Sequence, residues 1–345
     1  MSVESQQWIL NGSQGLSCLE STTAKVPELG RYDVLVKFKA VSLNYRDIAM
    51  VLGKYPRPMR KGLVPGSDGA GEVVKAGPGV TEFRPGDRVA TCFFQDYVAG
   101  KPTLQRLQTA LGADKDGVFR QYGIFPVHGL VAIPPCLDWR EASTLSCAAL
   151  TAWGCLHGER PVAPGDTVLI QGTGGVSLFG LQFAVAAGAR VIATTSSDTK
   201  VGLLKGLGAQ HVVNYKTHSD WGARVRQLTP NQQGCDIILE VGGPRSVNQS
   251  LQAAKVGADI HMIGWLGGAG DDPGPTIWDV RQALCNIKSV VVGSRAQFED
   301  MNKSIEAFKI KPAIDSSVFD LARLKEAYQY LIEAKHLGKV VVDVQ

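Results

Sequence analysis

The run Gly172-Thr173-Gly174-Gly175-Val176-Ser177, directly after the apolar stretch Val168-Leu169-Ile170, constrains this chain more than any other feature. It reads as a strand, a tight glycine turn, and a helix carrying Phe179, Phe183 and Ala187 at helical spacing. Glycines at 172 and 174 let the backbone turn sharply and come close to a pyrophosphate. The amides that open the helix then face the anion, with the helix dipole behind them. Ser177 stands where the usual pattern has a third glycine, and it is small enough for close helix–strand packing. In this context the pattern predicts a dinucleotide-binding turn with Gly172, Thr173, Gly174, Gly175 and Val176 as its contacts. Taken alone, it would also suit an ordinary strand-to-helix loop.

The next strand, Arg190-Val191-Ile192-Ala193-Thr194-Thr195, runs into Ser196-Ser197-Asp198-Thr199-Lys200. NAD-selective sites place an acid near the end of this strand to hold both ribose hydroxyls. Here two hydroxyls come first and a lysine follows, which suits the 2′-phosphate of NADP(H). Ser196, Ser197 and Lys200 are the expected contacts. Hydrogen bonds to such a charged group are worth roughly 1.5–3 kcal/mol each, enough to discriminate strongly against the unphosphorylated cofactor. Asp198 keeps a second reading open: it points to solvent beside Lys200, or it is the ribose acid of an NAD site.

The chain has 345 residues, long enough for about two domains, and a hydrophobic share of 44% with 20% charged is that of a globular protein. The net charge of +4 is spread along the sequence, with no basic run of the kind that grips nucleic acid. Seven cysteines lack any paired spacing and read as reduced thiols of an intracellular protein. The first residues are polar, and no apolar run approaches the length of a membrane span, so a cytoplasmic location without membrane contact is expected.

Residues 1–136 show strand-like patterns, such as Val34-Leu35-Val36-Lys37-Phe38, with dense Gly and Pro punctuation, and predict a β-rich unit. Residues 137–292 alternate strand and helix patterns. After the first two strands come His211-Val212-Val213, Ile237-Ile238-Leu239-Glu240-Val241, Ile260-His261-Met262-Ile263-Gly264 and Val290-Val291-Val292. That alternation predicts an α/β fold with a doubly wound parallel sheet. Residues 293–345 hold an amphipathic helix over 321–335 and a last strand Lys339-Val340-Val341-Val342, expected to return to the first domain.

The order of these parts resembles the medium-chain dehydrogenase/reductase superfamily nearly end to end. Supporting motifs are Pro85-Gly86-Asp87-Arg88-Val89, Leu150-Thr151-Ala152-Trp153, the glycine turn, Val241-Gly242-Gly243, Ile263-Gly264 and Gly338-Lys339-Val340-Val341. The resemblance implies a GroES-like β-rich catalytic domain and a Rossmann domain. Zinc members carry a cysteine where this chain has Asn44, and a Gly-His-Glu motif where it reads Gly66-Ser67-Asp68. Of three ligand positions only Cys147 keeps a ligand type, and a catalytic zinc needs three. The stretch that holds a structural four-cysteine loop elsewhere has only Cys92. No metal is therefore expected.

Leu43-Asn44-Tyr45-Arg46-Asp47-Ile48 followed by Gly53-Lys54-Tyr55-Pro56 is similar to zinc-free quinone oxidoreductases, to enoyl reductase domains, and to fungal zinc-type alcohol dehydrogenase-like proteins. Their shared chemistry is conjugate reduction of a small-molecule enone, enoyl or quinone substrate. An enone spreads incoming charge onto its oxygen, so hydrogen bonds can take over from a metal Lewis acid. The resemblance makes Tyr55 the first candidate proton donor, with a wall of the pocket as its alternative role. Tyr45 and Arg46 come second, Arg46 having a scaffold role beside Asp47 or Asp68 as its alternative. It also places Asn44, Thr151, Tyr215, Gly264 and Lys339 at the cofactor, Lys339 as a phosphate contact or else an ordinary exposed lysine. The stretch 100–117 is expected to border the cleft, Trp265-Leu266-Gly267-Gly268-Ala269-Gly270-Asp271-Asp272-Pro273 to cover the nicotinamide, and Trp278 to supply an apolar wall. A homodimer paired through Val290-Val291-Val292 is expected as well. Two other readings stand beside the leading one: a zinc-free alcohol or ketone oxidoreductase, and a non-enzymatic NADPH-binding protein.

Overall fold

The computed structural model describes residues 3–264 and 274–345. Seven strands come first: β1 Glu4–Leu10, β2 Leu19–Lys25, β3 Asp33–Ser42, β4 Asp68–Ala76, β5 Arg88–Thr91, β6 Tyr122–Pro126 and β7 Leu130–Ala132. Then come β8 Thr167–Gln171, β9 Arg190–Thr195, β10 His211–Asn214, β11 Cys235–Glu240, β12 Ala254–Met262 and β13 Asn286–Ser289. The tail adds β14 Phe319–Asp320 and β15 Val341–Asp343. The chain divides into two compact units, Met1–Leu150 with Gly293–Gln345, and Thr151–Val292.

In the first unit β1 and β2 form an antiparallel ribbon, and a larger sheet runs β14-β15-β3-β4-β5-β7 with β6 also on β3. Strand β3 is its spine. Val34, Val36 and Phe38 lie two apart along it and are all buried, as the period of a strand requires. Phe38 meets Phe125 edge-on at 5.7 Å, and Phe119 meets Tyr328 at 6.0 Å. Each such ring removed from water stabilises the unit by ~1.5–3 kcal/mol. β4 passes close under these rings: a Cβ on Gly69 would meet the Phe38 ring at 2.5 Å. β15 pairs antiparallel with β3, Val342 opposite Val41, and so carries the end of the chain back into this unit.

The second unit is one parallel sheet in the order β10-β9-β8-β11-β12-β13. All five residues of β8 are buried, the mark of a central strand covered on both faces. The chain runs outward one way from β8 to β10 and the other way from β11 to β13. The order therefore reverses between β8 and β11, and ligands of such sheets sit beyond the strand ends at that point.

Several local expectations need correction. The last strand of this sheet is Asn286–Ser289, in register with Asp259 to Met262, and not Val290-Val291-Val292. The β-branched run suits a strand, but pairing stops once the Val290 N–H has bonded the Met262 carbonyl at 3.3 Å, and Val292 has a φ of 34°. Gly264 lies two residues beyond the end of β12. The tail helix opens as a 3-10 turn, Leu321–Arg323, and its α-helical part is Leu324–Ile332. Trp278 does not form a wall within its unit: it is 70% exposed on the helix Ile277–Ala283. Within 100–117 a short helix, Leu104–Leu107, is followed by the buried Ala110 and Leu111. The expected cover, Trp265 to Pro273, falls outside the described residues.

Candidate functional site

The glycine turn is formed as the sequence implied. Gly172 takes a φ of 76°, a conformation that L side chains rarely adopt, and Gly174 caps the 12-residue helix Gly175–Ala186. A Cβ placed on either glycine would meet no atom of the protein within 4 Å, so the space over the turn is open to a ligand. Thr173 and Ser177 are buried. The Ser177 hydroxyl donates to the Gln171 carbonyl at 2.6 Å and ties the helix back to β8. The close helix–strand approach falls at Gly180, whose Cβ would lie 2.6 Å from Leu239. The open turn and the N-terminal end of the helix fit a dinucleotide pyrophosphate.

At the ends of β9 and β10 the structure gathers the other predicted contacts. Lys200 Nζ donates to Thr173 Oγ1 at 3.0 Å, which brings the ammonium to the glycine turn itself. Ser196 and Ser197 are half-buried just past β9, and the Ser197 hydroxyl accepts the Thr199 N–H at 3.3 Å. Tyr215 follows β10; its N–H donates to the Thr195 carbonyl at 3.0 Å and its side chain is 41% exposed. Asp198 is exposed, and the Asn214 side-chain amide donates to it at 2.9 Å. Val176 is half-buried on the first turn of the helix, and Thr151 is buried on the helix Leu150–His157. Gly264 packs so closely on the Val241 carbonyl that a Cβ would stand 2.7 Å from it.

The first unit holds a buried polar cluster. Asn44 precedes the helix Tyr45–Val51, and its N–H donates to Asp47 Oδ2 at 2.8 Å. Its side chain faces two partners: Nδ2 donates to Ser67 Oγ at 3.4 Å, and Oδ1 accepts from Lys339 Nζ at 2.6 Å. Lys339 also donates to the Leu43 carbonyl at 2.8 Å and to Asp68 Oδ2 at 3.2 Å. Asp68 Oδ1 accepts the Ser67 hydroxyl at 2.6 Å, and Oδ2 accepts the Cys147 N–H at 3.3 Å. Asn44, Ser67 and Cys147, the three positions that the resemblance assigns to zinc ligands, are thus linked around Asp68 and Lys339, Cys147 through its main-chain N–H. Burial first, then the Asp68 charge, pushes the Cys147 thiol up to about 12, so it is not poised as a thiolate. Among the described residues no group of three or more His, Cys, Asp or Glu could hold a metal ion.

Two expectations change with this geometry. Lys339 is 3% exposed, and its three N–H donors are taken by Leu43, Asn44 and Asp68, so it is not free for a phosphate. Arg46 is 8% exposed, lies over the Phe93 ring at 4.5 Å, and donates to the Leu111 carbonyl, which makes it part of the scaffold. Asp47, beside it, is fully buried, and burial raises its carboxyl to about 6 against the pull of Arg46. Tyr45 is 39% exposed on the same helix. Tyr55 is half-buried, packs on the core, and donates its N–H to the Ala49 carbonyl at 3.1 Å. Sequence reading did not single out Gln171, Asn214 or Glu240, whose side chains bond the segments at the strand ends beside the turn. Glu240 ends β11, a strand that also carries Asp236, so an acid there gave no distinct signal.

With the geometry in place, comparison with known proteins is informative. Residues 30–135 match the family model of the alcohol dehydrogenase GroES-like domain, and residues 175–309 match that of the zinc-binding dehydrogenase. The chain is 44% identical over 335 residues to a zinc-type alcohol dehydrogenase-like protein of Schizosaccharomyces pombe, covering 96% of each. A solved NAD-dependent alcohol dehydrogenase is 30% identical, with a TM-score of 0.88, over 99% of this chain and 100% of its own. A solved crotonyl-CoA carboxylase/reductase is 25% identical, with a TM-score of 0.86, over 99% of this chain and 88% of its own.

Proposed function

Because the chain belongs to the medium-chain dehydrogenase/reductase superfamily, we propose that it reduces conjugated carbonyl compounds with NADPH and without zinc. The substrate class is an enone, an enoyl thioester or a quinone. At the coarser level the chain is an NAD(P)-dependent oxidoreductase with a GroES-like domain and a Rossmann domain.

The observation that carries this reading is the place of Lys339. Its ammonium donates to Asn44 Oδ1 and Asp68 Oδ2, and Asn44 with Ser67, which bonds Asp68, are two of the positions the resemblance assigns to zinc ligands. An amide and a hydroxyl are poor zinc ligands, and a resident cation repels a second one. An isolated carbonyl reduced there would lack a Lewis acid, whereas a conjugated one needs only hydrogen bonds to its oxygen. The bound dinucleotide supplies a hydride, which the reading assigns to the β-carbon of the substrate. Tyr55 is the proposed donor to the developing enolate oxygen, its phenol acting through contact. Tyr45 is the second candidate. Lys200, Ser196, Ser197 and Tyr215 are assigned to the 2′-phosphate, with Asp198 bonded to Asn214.

The proposal includes a homodimer. β13 lies at the end of its sheet, and Leu284, Ile287 and Val291 on and around it are exposed. A bare apolar edge of this kind is stable when a second copy pairs with it. All seven cysteines are free thiols, which suits a cytoplasmic protein. Among the described residues no helix is long and apolar enough to cross a membrane.

Chelator-treated protein offered NADPH with an enone, the matching saturated ketone and a quinone tests the reading. Turnover of the enone or quinone alone is expected. Activity confined to the saturated ketone would assign the chain to carbonyl reduction instead.

A further inference from the structure

Glu240, the last residue of β11, is fully buried, and among the described residues none of its side-chain partners is a cation. Its Oε1 accepts the N–H of Gly242 at 2.8 Å, the N–H of Gly243 at 3.0 Å, and the Ser246 hydroxyl. Its Oε2 accepts the Gln171 amide at 2.7 Å and the Ser250 hydroxyl. A buried carboxylate without a counter-cation persists only where donors satisfy it, and here five do so. Two are backbone amides of the loop after β11, and two are hydroxyls of the 10-residue helix Pro244–Ala253, whose positive end faces the same group.

The same residue reaches all three strand ends at the point where the sheet order reverses. Gln171, held by the carboxylate, returns its own Oε1 to the Val241 N–H at 3.3 Å and immediately precedes Gly172. The main-chain carbonyl of Glu240 accepts the N–H of Ile263 at 2.9 Å and of Gly264 at 3.4 Å. One side chain and its carbonyl therefore brace the glycine turn after β8, the Val241–Gly242–Gly243 loop after β11, and the Gly264 segment after β12.

We infer that Glu240 is a positioning residue of the cofactor site: its negative charge, not its volume, sets these three loops in one register against the dinucleotide. The inference rests on the dinucleotide reading given above. A carboxylate only accepts hydrogen bonds, so it matches every donor around it, whereas the amide of Glu240→Gln directs two N–H groups at other donors. The loops must then move apart, although side-chain size is unchanged.

The test compares Glu240→Gln with Val247→Ala, a cavity in the buried face of the same helix that leaves the carboxylate cage intact. NADPH dissociation constants are read by fluorescence titration, steady-state constants with an enone, and melting by circular dichroism. Glu240→Gln is expected to raise the NADPH dissociation constant about tenfold or more, the size of one lost charged hydrogen bond, and to lower kcat. The KM for the enone should stay put. Val247→Ala should melt earlier yet bind NADPH like wild type. Equal NADPH affinity in Glu240→Gln and Val247→Ala overturns the inference. If Glu240→Gln does not fold, Ser246→Ala removes a single donor, and an unchanged dissociation constant there overturns it equally. Wild-type protein that binds neither NADPH nor NADH would instead sink the dinucleotide reading itself, an outcome separable from the behaviour of the variants.

Discussion

Lys339 in one unit and Glu240 in the other are both buried charges, and they are held by opposite means. Lys339 is paired with a carboxylate, Asp68, and with two carbonyl oxygens, contributed by residues 271 to 296 positions away in sequence. Among the described residues Glu240 has no cation partner, and four of its five donors lie within 10 positions of it. The first arrangement depends on the tail returning through β15, so it exists only once the unit has folded. The second is largely a property of one turn and the start of one helix. The ion pair ties the returning tail to the residues before helix Tyr45–Val51 and to β4; the carboxylate cage ties together loops at the strand ends.

Breaking the Lys339 side of this comparison should have the largest effect. Lys339→Met strands Asp68 as a buried unpaired charge, and loss of one partner of a buried pair costs ~3–5 kcal/mol. Urea denaturation should show that loss, and adding Asp68→Asn should recover part of it. Should Lys339→Met prove as stable as wild type, the ammonium is not holding the cluster together.

Tyr55→Phe probes chemistry in the same unit. Removal of a positioned proton donor lowers kcat by roughly 10²-fold or more, with the NADPH dissociation constant unaffected, because the ring still packs on the core. An unchanged kcat would leave Tyr55 as pocket wall and move the donor role to Tyr45.

Lys200→Ala moves to the second unit and should be selective. Loss of a charged contact of roughly 1.5–3 kcal/mol weakens NADPH binding about 10- to 150-fold and leaves NADH binding nearly as it was. An equal loss for both cofactors would mean that Lys200 supports the glycine turn through Thr173 and does not read the 2′-phosphate.

The most gradual effect concerns pH. Asp47 has its carboxyl raised by burial from 3.8 to about 6 in the folded protein. The folded state therefore holds more protons than the unfolded state between these values. Stability should fall as pH rises through that window, by at most ~1.4 kcal/mol per pH unit from this group, and level off above it. Asp47→Asn should flatten the slope in chemical denaturation between pH 4 and 6.

Local features were legible in the sequence and distant ones were not. The glycine turn could be read because strand, turn and helix follow one another within 20 residues, and each needs specific residue types. The β-rich unit and the parallel sheet followed from periodicity and punctuation for the same reason. Val290-Val291-Val292 misled because β-branched runs suit any half-buried extended chain, and only the ladder shows where pairing stops. Lys339 looked like a phosphate ligand because its motif gives no sign that Asp68 and Asn44 wait for it 271 and 295 residues earlier. Arg46 was placed near the substrate by its motif, whereas Phe93 and the Leu111 carbonyl, which bury it, come from loops with no pattern of their own.

The most direct measurement of the central claim is the fate of the label when chelator-treated protein reduces an enone with NADPH carrying deuterium at the transferable C4 position. The account predicts deuterium on the β-carbon of a saturated ketone product, with an unlabelled α-carbon. Deuterium on the carbonyl carbon of an allylic alcohol would contradict conjugate reduction and give the chain to carbonyl chemistry.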